Sequence, residues 1–291
     1  MTIDLVVAGK LAIDELSFEG IPYPPVLGGS AAHVALSAAT VGAKVAIVSS
    51  VGEDFPAHFL DVLDTKGIDL TGVVKRKGKS SHFWANFAPG GTMSNYRLHF
   101  GVGNRLSLRQ LSRLSKAAKA VHLGILPPHM QRKILNRVHT EGKLLSMTTI
   151  FHQAQTLRDK ILPQLPLLDM LFLNAKEAVF LTRKSDVADA IQALGSFVPL
   201  VIVTHGRKGV MVNQKGRIHL IPSYPTQEVD ATGAGDSFAG AFLANYLNTG
   251  SITLAARWGN AAGALNVRQV GSNALQKATR EDLEILIHES S

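Results

Sequence analysis

The chain has 291 residues, 46% of them hydrophobic and 18% charged, with a formal net charge of +8 and no cysteine. That composition supports a sizeable core in one large α/β domain or two smaller ones. It excludes a disordered chain, a disulfide scaffold and a thiolate zinc site, and no apolar run is long enough to predict a membrane span.

The start, Ile3 to Ala8, carries an early Asp4 and no positive leader. It reads as a buried strand, not as a signal peptide. With no cysteine, the chain fits a cytoplasmic protein. Pro22, Pro24 and Pro25 then keep the next piece out of any sheet interior. Gly28-Gly29-Ser30 opens a run of small helix formers, Ala31 to Ala39, whose short side chains let a neighbour sit close. Val45 to Ser49 is a second buried strand, Phe55 to Lys66 a helix stopped by Gly67.

The middle breaks this alternation. Ser81 to Phe87 and Ser94 to Phe100 are extended and aromatic-rich, separated by the turn Pro89-Gly90-Gly91-Thr92. With residues 10–27 they form a small antiparallel sheet over the main domain. Such a lid would bring Asp14 and Arg97 onto a substrate and exclude water. Phe83, Trp84, Phe87, Tyr96 and Phe100 would stack on a base, pack the lid or pair two lids in a dimer, and packing is favoured.

Alternation then resumes. Helices are predicted over 108–119, 130–141 and 187–196, and strands over 120–124, 143–148, 170–173 and 200–204. Val210 to Val212 and Ile218 to Ile221 read as an antiparallel pair. Helices follow from about Gly233 to Leu247, Leu254 to Val267 and Arg280 to Glu289. Strands alternating with helices predict a parallel sheet covered on both faces, where ligands gather at the carboxyl ends of the strands. Asp14, Asn174, Glu177, Thr204, Gly206 and Gly233 to Asp236 all follow strands.

The most informative stretch is Asp230-Ala231-Thr232-Gly233-Ala234-Gly235-Asp236. Small residues at a helix start leave N–H groups free to face an anion. A carboxylate inside that turn suits proton removal from a hydroxyl attacking a phosphoryl group held there. Other motifs are missing. Gly78-Lys79-Ser80 lacks the P-loop spacing, no dinucleotide fingerprint follows the first strand, and the 11 histidines are scattered. The basic runs at Lys75 to Lys79 and Arg113 to Lys119 lack interleaved aromatics, so nucleic acid is not an expected partner. A positive field does suit a polyanionic small substrate.

With these motifs the sequence resembles the PfkB (ribokinase-like) family of sugar and nucleoside kinases. The match runs from Gly28-Gly29 through Asn174-Ala175-Lys176-Glu177 and Thr204-His205-Gly206-Arg207-Lys208-Gly209 to the Asp230–Asp236 stretch. The resemblance implies a single three-layer αβα domain over 1–291, with a mostly parallel central sheet and a β-sheet lid from about 10–27 and 75–103. It implies an ATP-dependent kinase acting on a hydroxyl of a sugar. A nucleoside kinase, or a catalytically silent sugar- or nucleotide-binding regulator, are the alternatives. Asp236 would be the base, with the N–H groups of Gly233, Ala234 and Gly235 as anion hole. Asn174 and Glu177 would organise Mg²⁺ through water. Thr204, Gly206, Gly209 and Asn260 would line the nucleotide side, and Asp14, Gly28, Gly29 and His33 the acceptor side. A monovalent cation near Asp230 and Thr232 and a homodimer through the lid are left open. Two positions depart from the family pattern. His33 stands where Asn is usual, and Lys10 where a small or amide residue is common. The first leaves acceptor identity open. The second points to an anionic acceptor or to solvent.

Overall fold

The computed structural model describes residues 2–88 and 93–288. The turn expected at Pro89 to Thr92 and the last helical residue expected, Glu289, lie outside them.

In chain order the elements are β1 (Ile3–Ala8), β2 (Ala12–Phe18), β3 (Ile21–Pro22), β4 (Val26–Gly28), α1 (Ser30–Val41), β5 (Val45–Val51), α2 (Ala57–Thr65) and β6 (Asp69–Lys75). Then come β7 (Ser81–Phe87), β8 (Met93–His99), α3 (Leu108–Ser115), β9 (Ala118–Leu123), α4 (Pro128–Val138), β10 (Leu144–Thr148), α5 (Phe151–Thr156) and α6 (Arg158–Ile161). The chain closes with β11 (Met170–Asn174), α7 (Ala175–Thr182), α8 (Val187–Leu194), β12 (Leu200–Thr204), β13 (Val210–Gln214), β14 (Arg217–Ile221), α9 (Ala234–Thr249), α10 (Ile252–Asn266), α11 (Asn273–Lys277) and α12 (Arg280–His288).

Among the described residues the main sheet has nine strands in the order β14-β13-β12-β11-β10-β9-β1-β5-β6. All neighbours are parallel except β12–β13 and β13–β14. Its strands alternate between two cores, as a period of two requires. Leu5, Val7, Ile47, Phe172 and Ile202 pack with α1, α9 and α10, whereas Val6, Ala8, Val48, Leu123, Leu173 and Val203 pack with α3, α4, α7 and α8. This makes three layers. A second, five-stranded sheet runs β3-β2-β7-β8 with β4 also on β2, and it is mixed and not antiparallel as expected, because β2 and β7 pair in parallel. It has a small core of its own in Leu16, Val26, Ala85 and Phe87, joined by Val270. His82 ties it to the main domain, its ring lying 2.8 Å from Glu15 Oε1 and 3.0 Å from Asp54 Oδ2.

The structure corrects several boundaries. The helix expected over 108–119 ends at Ser115, and Ala118 already pairs with Ile3 in the parallel ladder. Helix propensity in Lys116 to Ala120 yields to burial of Ala118, Ala120 and Val121 against the sheet. The helix expected over 130–141 begins at Pro128 and finishes as a 3₁₀ turn before Gly142. Strand β6 was not anticipated. Its Gly72 breaks the β-branched pattern, because a Cβ there would lie 2.3 Å from the Ile47 carbonyl. The short helices between 151 and 167 also escaped the reading, since they are too brief to show a period.

Small residues bring α1 and α9 together, as the sequence predicts for α1. A Cβ at Gly240 would sit 2.1 Å from the Val34 carbonyl and 2.1 Å from Ser37 Oγ. The expected result is that Gly240→Ala forces the two helices apart and lowers stability by about 1–3 kcal/mol, as overpacking does. Denaturant unfolding of both proteins measures this.

Candidate active site

Helix α9 begins at the carboxyl edge of the parallel strands. Gly233 is its N-cap, in the left-handed conformation at φ 74°. A side chain is impossible there on a second ground, because a Cβ would lie 2.3 Å from the His33 ring. Of the cradle N–H groups expected, that of Ala234 turns back to the Ala231 carbonyl at 3.2 Å. Those of Gly233, Gly235 and Asp236 have no acceptor among the described residues. They leave the positive end of a 16-residue helix open toward an anion.

Two cavities meet at this turn. The first, of about 360 Å³, is lined by Asn174, Glu177, Thr204, Thr148, Thr149 and the segment from Gly233 to Asp236, with Phe83 and Tyr96 from the small sheet. The second, of about 180 Å³, is lined by Lys10, Asp14, Gly29, His33, Phe83 and Phe100 among others. Gly233 and Asp236 line both. Of the residues singled out in the sequence, Gly28 borders this second cavity indirectly. A Cβ on it would lie 2.0 Å from the Asp14 carboxyl carbon, so its bareness gives Asp14 its place. Gly206, Gly209 and Asn260 line neither cavity. Gly209 is needed by the fold, since a Cβ would lie 2.2 Å from the Ile221 carbonyl, and Asn260 donates to the Pro222 carbonyl at 2.8 Å. Arg97 also stays outside. It is exposed, with its guanidinium 4.2 Å above the Trp84 ring on the far face of β7 and β8.

The carboxyls of this site are held in a dry environment. Burial pushes Asp236 up to about 7, partly offset by the Thr148 hydroxyl, which donates to Oδ1 at 3.3 Å. Glu177 is likewise pushed up to about 7, by burial first, against the pull of the Asn174 N–H and the Thr149 hydroxyl and with the help of the Asp236 charge. Asp14 rises to about 8, by burial and then by the charge of Asp230. Asp230 itself is tied to the N–H groups of Thr232 at 2.9 Å and Gly271 at 2.8 Å.

Asn174 and Glu177 form a capping box at the start of α7. Asn174 Oδ1 accepts from the Glu177 N–H at 2.9 Å, and Glu177 Oε2 accepts from the Asn174 N–H at 3.1 Å. The amide Nδ2 of Asn174 donates to Oε1 at 2.6 Å, and Thr149 donates to Oε2 at 3.1 Å. The Phe151 N–H also acts on this carboxylate, which still lines the first cavity, where it can face the water of a hydrated cation. Among the described residues no three His, Cys, Asp or Glu side chains cluster to hold a metal ion. The donor set of Asn174 and Glu177 fits Mg²⁺, which keeps several waters.

His33 is buried, with Nδ1 3.2 Å from Asn266 Oδ1. Asn266 orients that contact, because its Nδ2 donates to the Thr232 carbonyl at 2.8 Å. Oδ1 must then accept, so His33 Nδ1 carries the proton and Nε2 offers a lone pair with no partner. Burial pushes this imidazole down to about 4, which keeps it neutral.

Thr148 and Thr149 were not singled out in the sequence. The signal was two adjacent hydroxyl residues at the end of a β-strand, one reaching each acidic side chain.

These observations agree with family membership. The chain belongs to the pfkB family of carbohydrate kinases, whose family model matches residues 14–279. It is 34% identical over 248 residues to a cytidine kinase of Thermococcus kodakarensis, covering 84% of this chain and 88% of that protein. It is 28% identical over 281 residues to a ribokinase of Haemophilus influenzae, covering 92% and 90%. The fold is also that of a putative ribokinase II from E. coli solved with ATP and Mg²⁺, at a TM-score of 0.83, 21% identity and 99% coverage of both chains.

Removing the Thr148 hydroxyl takes away a bond that stabilises the charged form of Asp236. If turnover requires ionised Asp236, the acid limb of kcat/KM in Thr148→Val moves to higher pH, with activity at high pH largely kept. A pH–rate profile of both proteins measures it, and an unmoved limb would contradict the contact.

Proposed function

We propose that this protein transfers the γ-phosphoryl group of ATP to a hydroxyl of a sugar or nucleoside, with Asp236 removing the hydroxyl proton. The observation that carries this reading is the position of Asp236 and Gly233 on the walls of both cavities. A phosphoryl donor in the first cavity and an alcohol in the second would meet at one carboxylate beside one set of free N–H groups.

Phosphoryl transfer needs alignment and charge neutralisation more than covalent help. The acceptor is positioned by Asp14, whose Oδ1 has no partner, and by the free lone pair of His33 Nε2. Both accept hydrogen bonds from hydroxyls. Asp236 takes the proton as the oxygen attacks, and the N–H groups of Gly233 and Gly235 face the oxygens on which negative charge grows. Thr204 lies on the donor side, and the turn through Gly206 and Gly209 flanks it. Bound Mg²⁺ would neutralise phosphate charge, held through water by Glu177, itself fixed by Asn174 and Thr149. A monovalent cation near Asp230 and Thr232 is supported by the buried Thr232 Oγ1, which lacks a partner.

The small sheet acts as the lid. Ala12, Asp14, Ser81, Phe83 and Leu98 come from its strands and close one side of the acceptor cavity, which would keep water from the transferring group. A homodimer through this lid is supported by exposed Ile21, Tyr23, Met93 and Tyr96. A cytoplasmic place suits an ATP-consuming enzyme, and among the described residues no helix is long and apolar enough to cross a membrane.

Asp236→Asn keeps the size of the side chain and removes the base. Turnover should fall by about 10²–10⁴-fold, while ATP affinity measured by calorimetry stays close to wild type. Turnover within tenfold of wild type would sink the assignment. Because Asp236 must be ionised to act, kcat/KM of the wild type should decline as pH falls through about 7.

A further inference from the structure

Lys10 follows β1 after a single residue, Gly9, and is 4% exposed. Its backbone is locked beside the glycine pair. The Lys10 carbonyl accepts from the Ala31 N–H at 3.0 Å, and a Cβ on Gly29 would lie 2.4 Å from that same oxygen. The side chain enters the acceptor cavity instead of reaching solvent. Its Nζ sits 3.2 Å from the centroid of the Phe100 ring and has no hydrogen-bond partner. No carboxylate pairs with it among the described ion pairs. Lysines are rarely buried without a partner, because the ammonium loses its water and gains nothing in return. An aromatic face compensates in part. Burial also pushes this amine down to about 7. The remaining donor capacity is what a ligand would use.

Resting on the reading of this cavity as the acceptor site, we infer that Lys10 is a specificity-determining residue that donates to a ring carbonyl oxygen of a pyrimidine nucleoside. The groups that line the cavity ask a ligand for both donors and an acceptor. Asp14 and the Nε2 lone pair of His33 call for hydroxyls, which a ribose supplies. Lys10 calls for an acceptor atom. Phe83, Ile125, Ile150 and Leu98 line the same cavity, apolar walls that suit a flat ring. A volume of about 180 Å³ favours the smaller base class. A phosphate group at Lys10 fits poorly, because no second Lys or Arg lines this cavity to offset a dianion, whereas two carboxyl groups, Asp14 and Asp236, do line it.

The test compares phosphoryl transfer from ATP to cytidine, uridine, ribose, ribose 1-phosphate and a phenyl C-riboside. The phenyl compound keeps ribose and a flat ring but lacks the carbonyl. In the wild type, cytidine or uridine should exceed every other acceptor in kcat/KM, and the phenyl riboside should lose at least about tenfold. Lys10→Met should lose at least about tenfold on the pyrimidine nucleoside and under about threefold on ribose, closing the gap to the phenyl compound. The wild-type comparison of cytidine with the phenyl riboside stands even if the variant fails to fold. Preference for ribose 1-phosphate or free ribose would overturn the inference while leaving the kinase reading intact. So would an equal loss on all acceptors in Lys10→Met. If nothing is phosphorylated, calorimetry with cytidine decides separately. Binding to the wild type that is lost in Lys10→Met upholds the role of Lys10 with the kinase reading gone, and no binding overturns both.

Discussion

Everything in the site depends on how closely α9 is pressed against α1. Gly233 rests on the His33 ring, and seven residues on, Gly240 rests on the Val34 carbonyl. With any side chain at these two places the helices could not approach, and the start of α9 would move away from the strand ends. The close approach fixes three things together. It aims the free N–H groups of the first turn at one point, places the Asp236 carboxyl on the wall between two cavities, and seals His33 from water. The same contact that completes the core thus orders the groups proposed to act on a ligand.

Burial then sets the chemistry. Asp14, Glu177 and Asp236 are all held above the usual carboxylate range, chiefly by loss of water. Lys10 and His33 are held below their usual values for the same reason. Five perturbed groups around two adjoining spaces mark a place where ligand charge and hydrogen bonds are expected to complete the site. The hydroxyls of Thr148 and Thr149 oppose part of that effect at Asp236 and Glu177. They favour the ionised form of Asp236, the form its proposed role as base requires.

Much of this was legible in the sequence. Alternating strands and helices gave the α/β class, and the order of Gly28-Gly29, Asn174 to Glu177, Thr204 to Gly209 and Asp230 to Asp236 pointed to the family to which the chain belongs. Departures from the pattern were visible too. What they meant was not. Whether Lys10 faces solvent depends on a backbone locked against Gly29 and Ala31, twenty residues away in sequence. The proton on His33 depends on the amide of Asn266, which itself is oriented by Thr232. Thr148 and Thr149 carry no motif, since their partners lie 88 and 28 residues away. Local periodicity also missed β6, whose glycine is required by a neighbouring strand and not by its own.

The central claim is that one carboxylate serves the alcohol from the second cavity while the phosphoryl donor lies in the first. A crystal structure with Mg²⁺, a non-hydrolysable ATP analogue and the acceptor that is turned over tests it most directly. The reacting hydroxyl should lie about 2.6–3.2 Å from an Asp236 carboxylate oxygen, with the γ-phosphate facing the N–H groups of Gly233 and Gly235. An acceptor hydroxyl directed away from Asp236, or a γ-phosphate bound away from the start of α9, would contradict it.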